Sequence, residues 1–335
     1  MAVSTDWLGL VSEEALEPQR PIIDPHHHLW DHPGHRYMLD ELLADINSGH
    51  NIVATVFVEC MAMYRADGPQ ELRSLGETEF VNGIAAQCAS GLYGPVRAAA
   101  GIVGYADLAL GHSVDAVLLA HIARAPDRFR GIRHASGFDP SPDVRNAHTN
   151  PPDGLLADPE FRKGFARLAP NGLSFDAWLY HHQIPELTAL ARAFPDTTII
   201  LDHFGGPLGI GPHEGRGAEI FEVWKRDVAE LARCPNVVAK LGGLAMAVNG
   251  FNWHRRNAPP GSLELMEATK GYYLHAIEQF GPSRCMFESN FPVDKLSCSY
   301  GVLWNSFKRL VEDFSEAEKS ALFFDTANRV YRLGL

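Results

Sequence analysis

The chain has 335 residues, of which 46% are hydrophobic and 21% charged, so it can bury a large core and is neither disordered nor fibrous. Its formal net charge of −12, with no cluster of Lys and Arg, excludes nucleic acid as an expected partner and favours a small-molecule substrate. Five scattered cysteines without a CxxC pair predict reduced thiols rather than a disulfide framework or a zinc ribbon.

The first 20 residues contain no basic segment followed by an apolar one, and no apolar run approaches the length that spans a bilayer. We therefore expect a cytoplasmic protein without a membrane partner, in which residues 1–20 are an N-terminal extension.

Short apolar segments rich in β-branched residues alternate with segments of helical periodicity along the whole chain. The segments predicted as strands are 21–24, 52–59, 96–104, 129–134, 173–179, 197–203, 236–242 and 284–289. The segments predicted as helices between them are 38–46, 76–89, 113–125, 159–169, 184–194, 218–234, 263–280 and 300–314. Eight strands, each followed by a helix, predict an α/β fold of the (β/α)8 TIM-barrel type.

Residues 315–335 are predicted to close the chain as a C-terminal helix, with Ser315 and Glu318 forming a capping box. We expect residues 1–335 to form one barrel domain. Three long Pro- and Gly-rich loops, 136–154, 204–217 and 249–261, all follow strands. They therefore lie on the C-terminal face, where barrel enzymes build their active sites.

Three consecutive histidines, His26, His27 and His28, follow the first predicted strand. Because side chains alternate along a strand, His26 and His28 share one face and His27 points away from them. A lone histidine would more often cap the strand, but three after an apolar strand favour a functional site. We expect His26 and His28 in the barrel mouth and His27 in a supporting role.

Other polar side chains also stand at predicted strand ends, and together they form a ring of titratable groups on one face. They are Arg133, His134, Asp176, His203, Lys240, Glu288, Asn290 and Asp294. The glycines after His203 in LDHFGGP would let backbone or ligand approach closely.

The motifs DPHHHLWD, FRGIRH, LDHFGGP and ESNFPVDK, in this order, resemble the amidohydrolase superfamily, in particular its branch of sugar-lactone and dicarboxylate-lactone hydrolases. The resemblance extends from about Pro21 to Leu333. It implies that His26 and His28 bind a divalent metal, zinc or manganese, or polarise a carbonyl directly. It also implies that His203 is the histidine of strand six, and that an acid after strand eight is the general base.

Two departures from the family pattern matter. Asp176 and Trp178 stand on strand five, where metal-binding members usually have a histidine, so the metal requirement is left open. Asn290 replaces the usual aspartate after strand eight and cannot accept a proton. The base is then Asp294 or Glu288, and we favour Asp294 because it lies beyond the strand on the loop that faces the site.

The predicted activity is opening of a small lactone, bearing carboxylate or hydroxyl groups, by attack of water. Arg133 is expected to clamp a substrate carboxylate. Further residues expected near the substrate are Glu59, Tyr64, His134 and Asp176. Arg65 is expected to be a solvated loop residue.

Two alternatives remain open at this stage: a metal-dependent decarboxylase of an aromatic or muconate-type acid, and a non-catalytic ligand-binding barrel. A homo-oligomer is compatible with the sequence, because apolar faces of exposed helices would permit a dimer.

Overall fold

The computed structural model describes residues 5–335, and its strands confirm the predicted barrel. The strands are β1 (Pro21–His27), β2 (Trp30–His32), β3 (His35–Tyr37), β4 (Asn51–Val58), β5 (Arg97–Gly104), β6 (Phe129–Arg133), β7 (Ser174–Ala177), β8 (Ile199–Leu201), β9 (Val237–Leu241) and β10 (Cys285–Phe287). β1 and β4 to β10 form one parallel sheet in chain order, while β2 and β3 form a separate antiparallel hairpin.

The barrel closes between its first and last strands through the segment that follows β10. The backbone N–H of His28 donates to the carbonyl of Phe291 at 2.8 Å, and the N–H of Asn290 donates to the carbonyl of His26 at 3.0 Å. The histidine run and the motif after β10 therefore lie side by side, although more than 260 residues separate them in the chain.

The helices surround the sheet. They are α1 (Thr5–Leu8), α2 (Leu39–Ile46), α3 (Leu75–Ala89), α4 (Val114–Arg124), α5 (Pro159–Phe165), α6 (Ile184–Ala193), α7 (Gly217–Leu231), α8 (Ser262–Phe280), α9 (Tyr300–Leu310), α10 (Glu316–Ser320) and α11 (Thr326–Val330). Strands such as β9 are buried along their whole length because one face meets the helices and the other meets the barrel interior. No helix among residues 5–335 is long and apolar enough to cross a membrane.

The sequence pattern does not predict the hairpin β2–β3, because its two three-residue strands contain no β-branched residue. Its signal is the Pro33–Gly34 turn, where Gly34 has a φ of 73°. The hairpin directly follows the histidine run. Trp30 stacks on His28 there, with ring centroids 5.9 Å apart.

The C-terminal segment differs from the single helix predicted over 315–335. The Ser315–Glu318 capping box is present, but α10 passes through a π-helical turn, Ala321–Asp325, into α11. The chain then enters the barrel, where Tyr331 is fully buried. Its hydroxyl donates to Asp176 Oδ1 at 2.7 Å, and its ring lies 5.4 Å from Lys240 Nζ.

We predict that Tyr331 closes the barrel interior and supports Asp176. Tyr331→Phe, which removes the hydrogen bond to a buried carboxylate, should lower the free energy of unfolding by about 1–3 kcal/mol. Tyr331→Ala, which also leaves a cavity, should lower it by about 3–5 kcal/mol. Urea unfolding followed by circular dichroism measures both. Tyr93→Phe, at a tyrosine with 36% exposure, is the control and should be neutral; wild-type stability of Tyr331→Ala would contradict the prediction.

Candidate active site

Three histidines from two strand ends meet inside the barrel mouth. The ring centroid of His26 lies 5.0 Å from that of His28 and 4.4 Å from that of His203, and all three side chains are buried. His27 points elsewhere, with its Nε2 2.8 Å from the hydroxyl of Thr55. Burial lowers the pKa of His27 to about 4, so it is neutral at physiological pH.

Glu288 holds two of these histidines with its two oxygens. Its Oε1 lies 2.6 Å from Nδ1 of His203, and its Oε2 lies 2.9 Å from Nδ1 of His26. Burial alone would raise the pKa of Glu288, but the two imidazoles outweigh that effect and lower it to about 2. The carboxylate is therefore ionised and accepts a hydrogen bond from the Nδ1–H of His203. In a neutral His203, Nε2 then keeps its lone pair.

Two glycines after β9 make this close packing possible. A Cβ at Gly242 would lie 2.4 Å from Cγ of Glu288. A Cβ at Gly243, whose φ is +75°, would lie 2.4 Å from Nδ1 of His203. Any larger residue at either position would separate the carboxylate from the histidine that it holds.

His28 is oriented by the backbone. Its Nδ1 lies 2.8 Å from the carbonyl oxygen of Val58. A carbonyl only accepts hydrogen bonds, so Nδ1 carries a proton, and Nε2 of a neutral ring is left with a lone pair. Burial and then the charge of Arg133 hold the pKa of His28 well below its ordinary value, so the neutral ring is the stable form.

Beneath the histidines lies a buried network of charges around Lys240. Its Nζ lies 2.6 Å from Asp176 Oδ1, 3.2 Å from Asp202 Oδ1 and 3.1 Å from Nδ1 of His26. Burial lowers the pKa of Lys240, but Asp176 and Asp202 outweigh burial and raise it. Asp176, predicted near the substrate, thus lies below the histidines with Lys240 and Tyr331, and burial raises its pKa to about 6.

Arg133, the predicted carboxylate clamp, is already occupied by residues of the chain itself. Its Nε donates to Glu59 Oε1 at 2.7 Å, and its Nη1 lies 3.7 Å from Asp202 Oδ2. The same Nη1 is 3.4 Å from Nε2 of His26. The other oxygen of Glu59 is 2.9 Å from Nε2 of His148, a loop residue that the sequence reasoning missed. Burial raises the pKa of Glu59, but His148 and Arg133 lower it to about 2.

Asp294 is fully buried on the segment that follows β10. Its Oδ1 accepts a hydrogen bond from the side-chain amide of Asn290 at 2.9 Å, and its Oδ2 accepts one from the N–H of Ala245 at 3.2 Å. Burial raises the pKa of Asp294 to about 7, and the Glu288 carboxylate adds to this rise. The two carboxylates considered as bases therefore differ by about five pKa units.

The remaining predicted residues lie at the rim. His134 is buried against Phe161 and accepts the N–H of Leu108 at 3.2 Å, so its ring is part of the rim packing. Burial lowers its pKa to about 4. The hydroxyl of Tyr64 is buried without a hydrogen-bond partner in the described part of the chain.

The donor atoms at the centre fit one divalent cation. His26, Asp202 and His203 bring one ligand atom each to within 4.8 Å of one another, the one such group among residues 5–335. Both oxygens of Asp202 are buried and lack a hydrogen-bond partner among those residues. Imidazole nitrogens and a carboxylate oxygen are ligands that zinc accepts. Asp202 was not predicted; its signal is its position directly before His203 at the end of β8. His28 lies outside this group, so its metal role stays a prediction.

The charge balance also suits a cation. Three of the four buried carboxylates in this network pair with two buried cations, and the fourth, Glu288, lies against two imidazoles, which leaves negative charge uncompensated. The carboxylates are those of Glu59, Asp176, Asp202 and Glu288, and the cations are Arg133 and Lys240.

Sequence and structure comparisons relate this chain to known proteins. A sequence model described as Amidohydrolase matches residues 23–333. An uncharacterised Sinorhizobium fredii protein, y4mH, is 36% identical over 334 residues, which cover 93% of this chain and 98% of that protein. An L-fucono-1,5-lactonase of Burkholderia multivorans is 32% identical over 207 residues, 62% of this chain and 64% of the lactonase. A crystal structure of a Burkholderia multivorans amidohydrolase with bound zinc has a TM-score of 0.70 and 25% identity, covering 93% of this chain and 99% of that chain.

We predict that Asp202→Asn and His203→Ala weaken binding of zinc. Removal of a hydrogen-bond partner of a metal ligand lowers metal affinity roughly 10- to 100-fold. We expect a larger loss of zinc affinity here, because a ligand itself is removed. Competition with a chromophoric chelator, together with elemental analysis of untagged protein, measures the affinity. His27→Ala is the matched control, because this buried histidine faces Thr55 and should leave zinc binding unchanged. Unaltered affinity in Asp202→Asn would exclude the donor group.

Proposed function

We propose that this chain, which belongs to the amidohydrolase family, is a lactonase that opens the ring of a small lactone by attack of water. The observation that carries the proposal is Asp294, a buried carboxyl with a pKa of about 7 whose charge interacts with His203, a histidine that Glu288 holds in place. The lactonase among its relatives supports ring opening as the reaction.

The proposed general base is Asp294. A base is most effective when its pKa lies near the working pH, because it is then both ionised and basic enough to take the proton of water. Glu288, the alternative, has a pKa of about 2, because the two imidazoles stabilise its ionised form, so it is a poor proton acceptor. Asn290 instead donates a hydrogen bond to Asp294 and orients it.

The proton positions favour a ligand role for the histidines over direct carbonyl polarisation. A neutral His203 that donates Nδ1–H to Glu288 has no proton on Nε2 with which to bond a carbonyl oxygen. The same reasoning applies to His28 and the carbonyl of Val58. A divalent ion held by His26, Asp202 and His203 would polarise the lactone carbonyl and acidify a bound water. We therefore propose zinc or manganese as the cofactor.

The residues of the chain have separate tasks in this proposal. Glu288 fixes the two imidazole rings, and Arg133 and Lys240 keep Asp202 ionised despite its burial. Asp294 removes the proton from the attacking water. Collapse of the tetrahedral intermediate breaks the bond between the acyl carbon and the ring oxygen. The proton that Asp294 took from water passes to this oxygen, and the product is a hydroxy acid.

We predict that Asp294→Asn lowers kcat by about 10²- to 10⁴-fold with little change in KM, since the proton acceptor is lost while the shape is kept. A panel of sugar lactones and carboxylated lactones, followed with a pH indicator, identifies a substrate and measures this loss. In the wild type, kcat/KM should fall tenfold per pH unit below about pH 7, where Asp294 is protonated, and level off above it.

The control is Asp40→Asn, at an exposed carboxylate of α2, which should retain wild-type kcat and the same pH profile. A wild-type kcat in Asp294→Asn would remove Asp294 from the mechanism. Release of CO₂ from aromatic or muconate-type acids, with no lactone opened, would replace the lactonase proposal by the decarboxylase alternative.

A further inference from the structure

A cavity of about 420 Å³ opens on the C-terminal face of the barrel beside the histidines. Loops after three consecutive strands, β4, β5 and β6, form its walls. Its polar and aromatic lining comprises Tyr64, Gln70, Arg73, Tyr105, His148 and Thr149. The catalytic roles proposed for the histidines, Asp202, Glu288 and Asp294 do not involve this cavity.

A short chain of contacts joins the cavity to the candidate active site. His148 lines the cavity and lies 2.9 Å from Glu59 Oε2. The other oxygen of Glu59 accepts from Arg133, whose Nη1 lies 3.4 Å from Nε2 of His26. The Glu59–Arg133 pair therefore forms the partition between the cavity and the histidines. A substrate that lies along this pair would reach both.

The cavity holds a guanidinium that the rest of the chain leaves free. Arg73 is exposed, and its guanidinium makes no ion pair with any residue that the structure describes. Its neighbour Arg65, by contrast, pairs with Glu79. Arg133 is also occupied, by Glu59 and Asp202. Among these arginines, Arg73 is thus the one with donors available to a ligand.

No acidic side chain competes for Arg73 in the cavity. The lining includes no Asp or Glu. The carboxylate behind it, Glu59, is already paired with His148 and Arg133. The guanidinium of Arg73 can therefore donate paired hydrogen bonds to the two oxygens of a ligand carboxylate.

We propose that this cavity binds a carboxylate of the substrate through Arg73, so that the enzyme prefers lactones bearing an anionic group over neutral lactones. This inference rests on the proposed lactonase function and names its substrate class. The carboxylate recognition expected of Arg133 from the sequence passes to Arg73, because internal carboxylates occupy Arg133.

The test compares γ- and δ-lactones that carry a ring carboxylate with their uncharged carboxamides. The wild type should favour the carboxylates in kcat/KM. Arg73→Gln should lose about 10- to 100-fold on the carboxylates, mainly through KM, and nothing on the carboxamides, since only a charge-assisted hydrogen bond is removed.

Arg65→Gln is the matched control, because this arginine lies close by but is paired with Glu79, and it should change neither substrate class. Equal rates on carboxylates and carboxamides, with Arg73→Gln indistinguishable from the wild type, would overturn the carboxylate site while leaving the lactonase function intact.

If the wild type opens no lactone of either class, the proposed function fails, and the cavity is tested by binding alone. Isothermal titration calorimetry with the hydroxy diacid that the carboxylated lactone yields on hydrolysis should then show binding to the wild type. Arg73→Gln should weaken that binding by a similar factor. Absence of diacid binding, or equal affinity in the variant, would overturn the proposal.

Discussion

The arrangement of this site depends on one buried carboxylate, Glu288, whose two oxygens lie against the imidazoles of His26 and His203. A charge inside a barrel is costly unless opposite charges and hydrogen bonds surround it. The chain meets this cost with His26 and His203 on one side and with glycines that give the carboxylate room. Below these groups, Lys240 forms ion pairs with Asp176 and Asp202. Above them, the segment after β10 bonds to the backbone of His26 and His28 and keeps the histidines in place.

The need to hold Glu288 and the histidines in place also explains how the barrel is closed at both ends. At the top, the backbone after β10 bonds to His26 and His28, so the histidines are fixed by the seam of the sheet. At the bottom, Tyr331 enters from the C-terminus and bonds to Asp176, the partner of Lys240. Because Lys240 also contacts Nδ1 of His26, the last residues of the chain are connected to the histidines through three hydrogen-bonded steps.

Most of the fold could be predicted from the sequence, because buried parallel strands are continuous apolar runs and the helices between them keep their periodicity. All eight barrel strands occur where the pattern places them. The hairpin β2–β3 could not be predicted in this way, since its strands are short and polar. The C-terminal segment has a helical pattern throughout, and only its packing inside the barrel decides where the helix is interrupted.

The residues of the candidate site could be predicted from the sequence, but their hydrogen-bond and ion-pair partners could not. Alternation along β1 places His26 and His28 together, and strand ends mark His203, Glu288 and Asp294. The partners depend on contacts between distant segments, such as Arg133 with Glu59, 74 residues apart, which fix what each charge is free to do. Only the side-chain positions show that Glu59 and Asp202 occupy Arg133. The same holds for Glu288, which lies between two imidazole rings.

A crystal structure of Asp294→Asn soaked with a lactone that the wild type opens would test the proposed mechanism most directly. We predict that the lactone carbonyl lies beside His26 and His203, with residue 294 facing the acyl carbon. A lactone bound elsewhere, for example in the apolar cleft lined by Phe221 and Tyr272 between α7 and α8, with none beside Glu288, would contradict it.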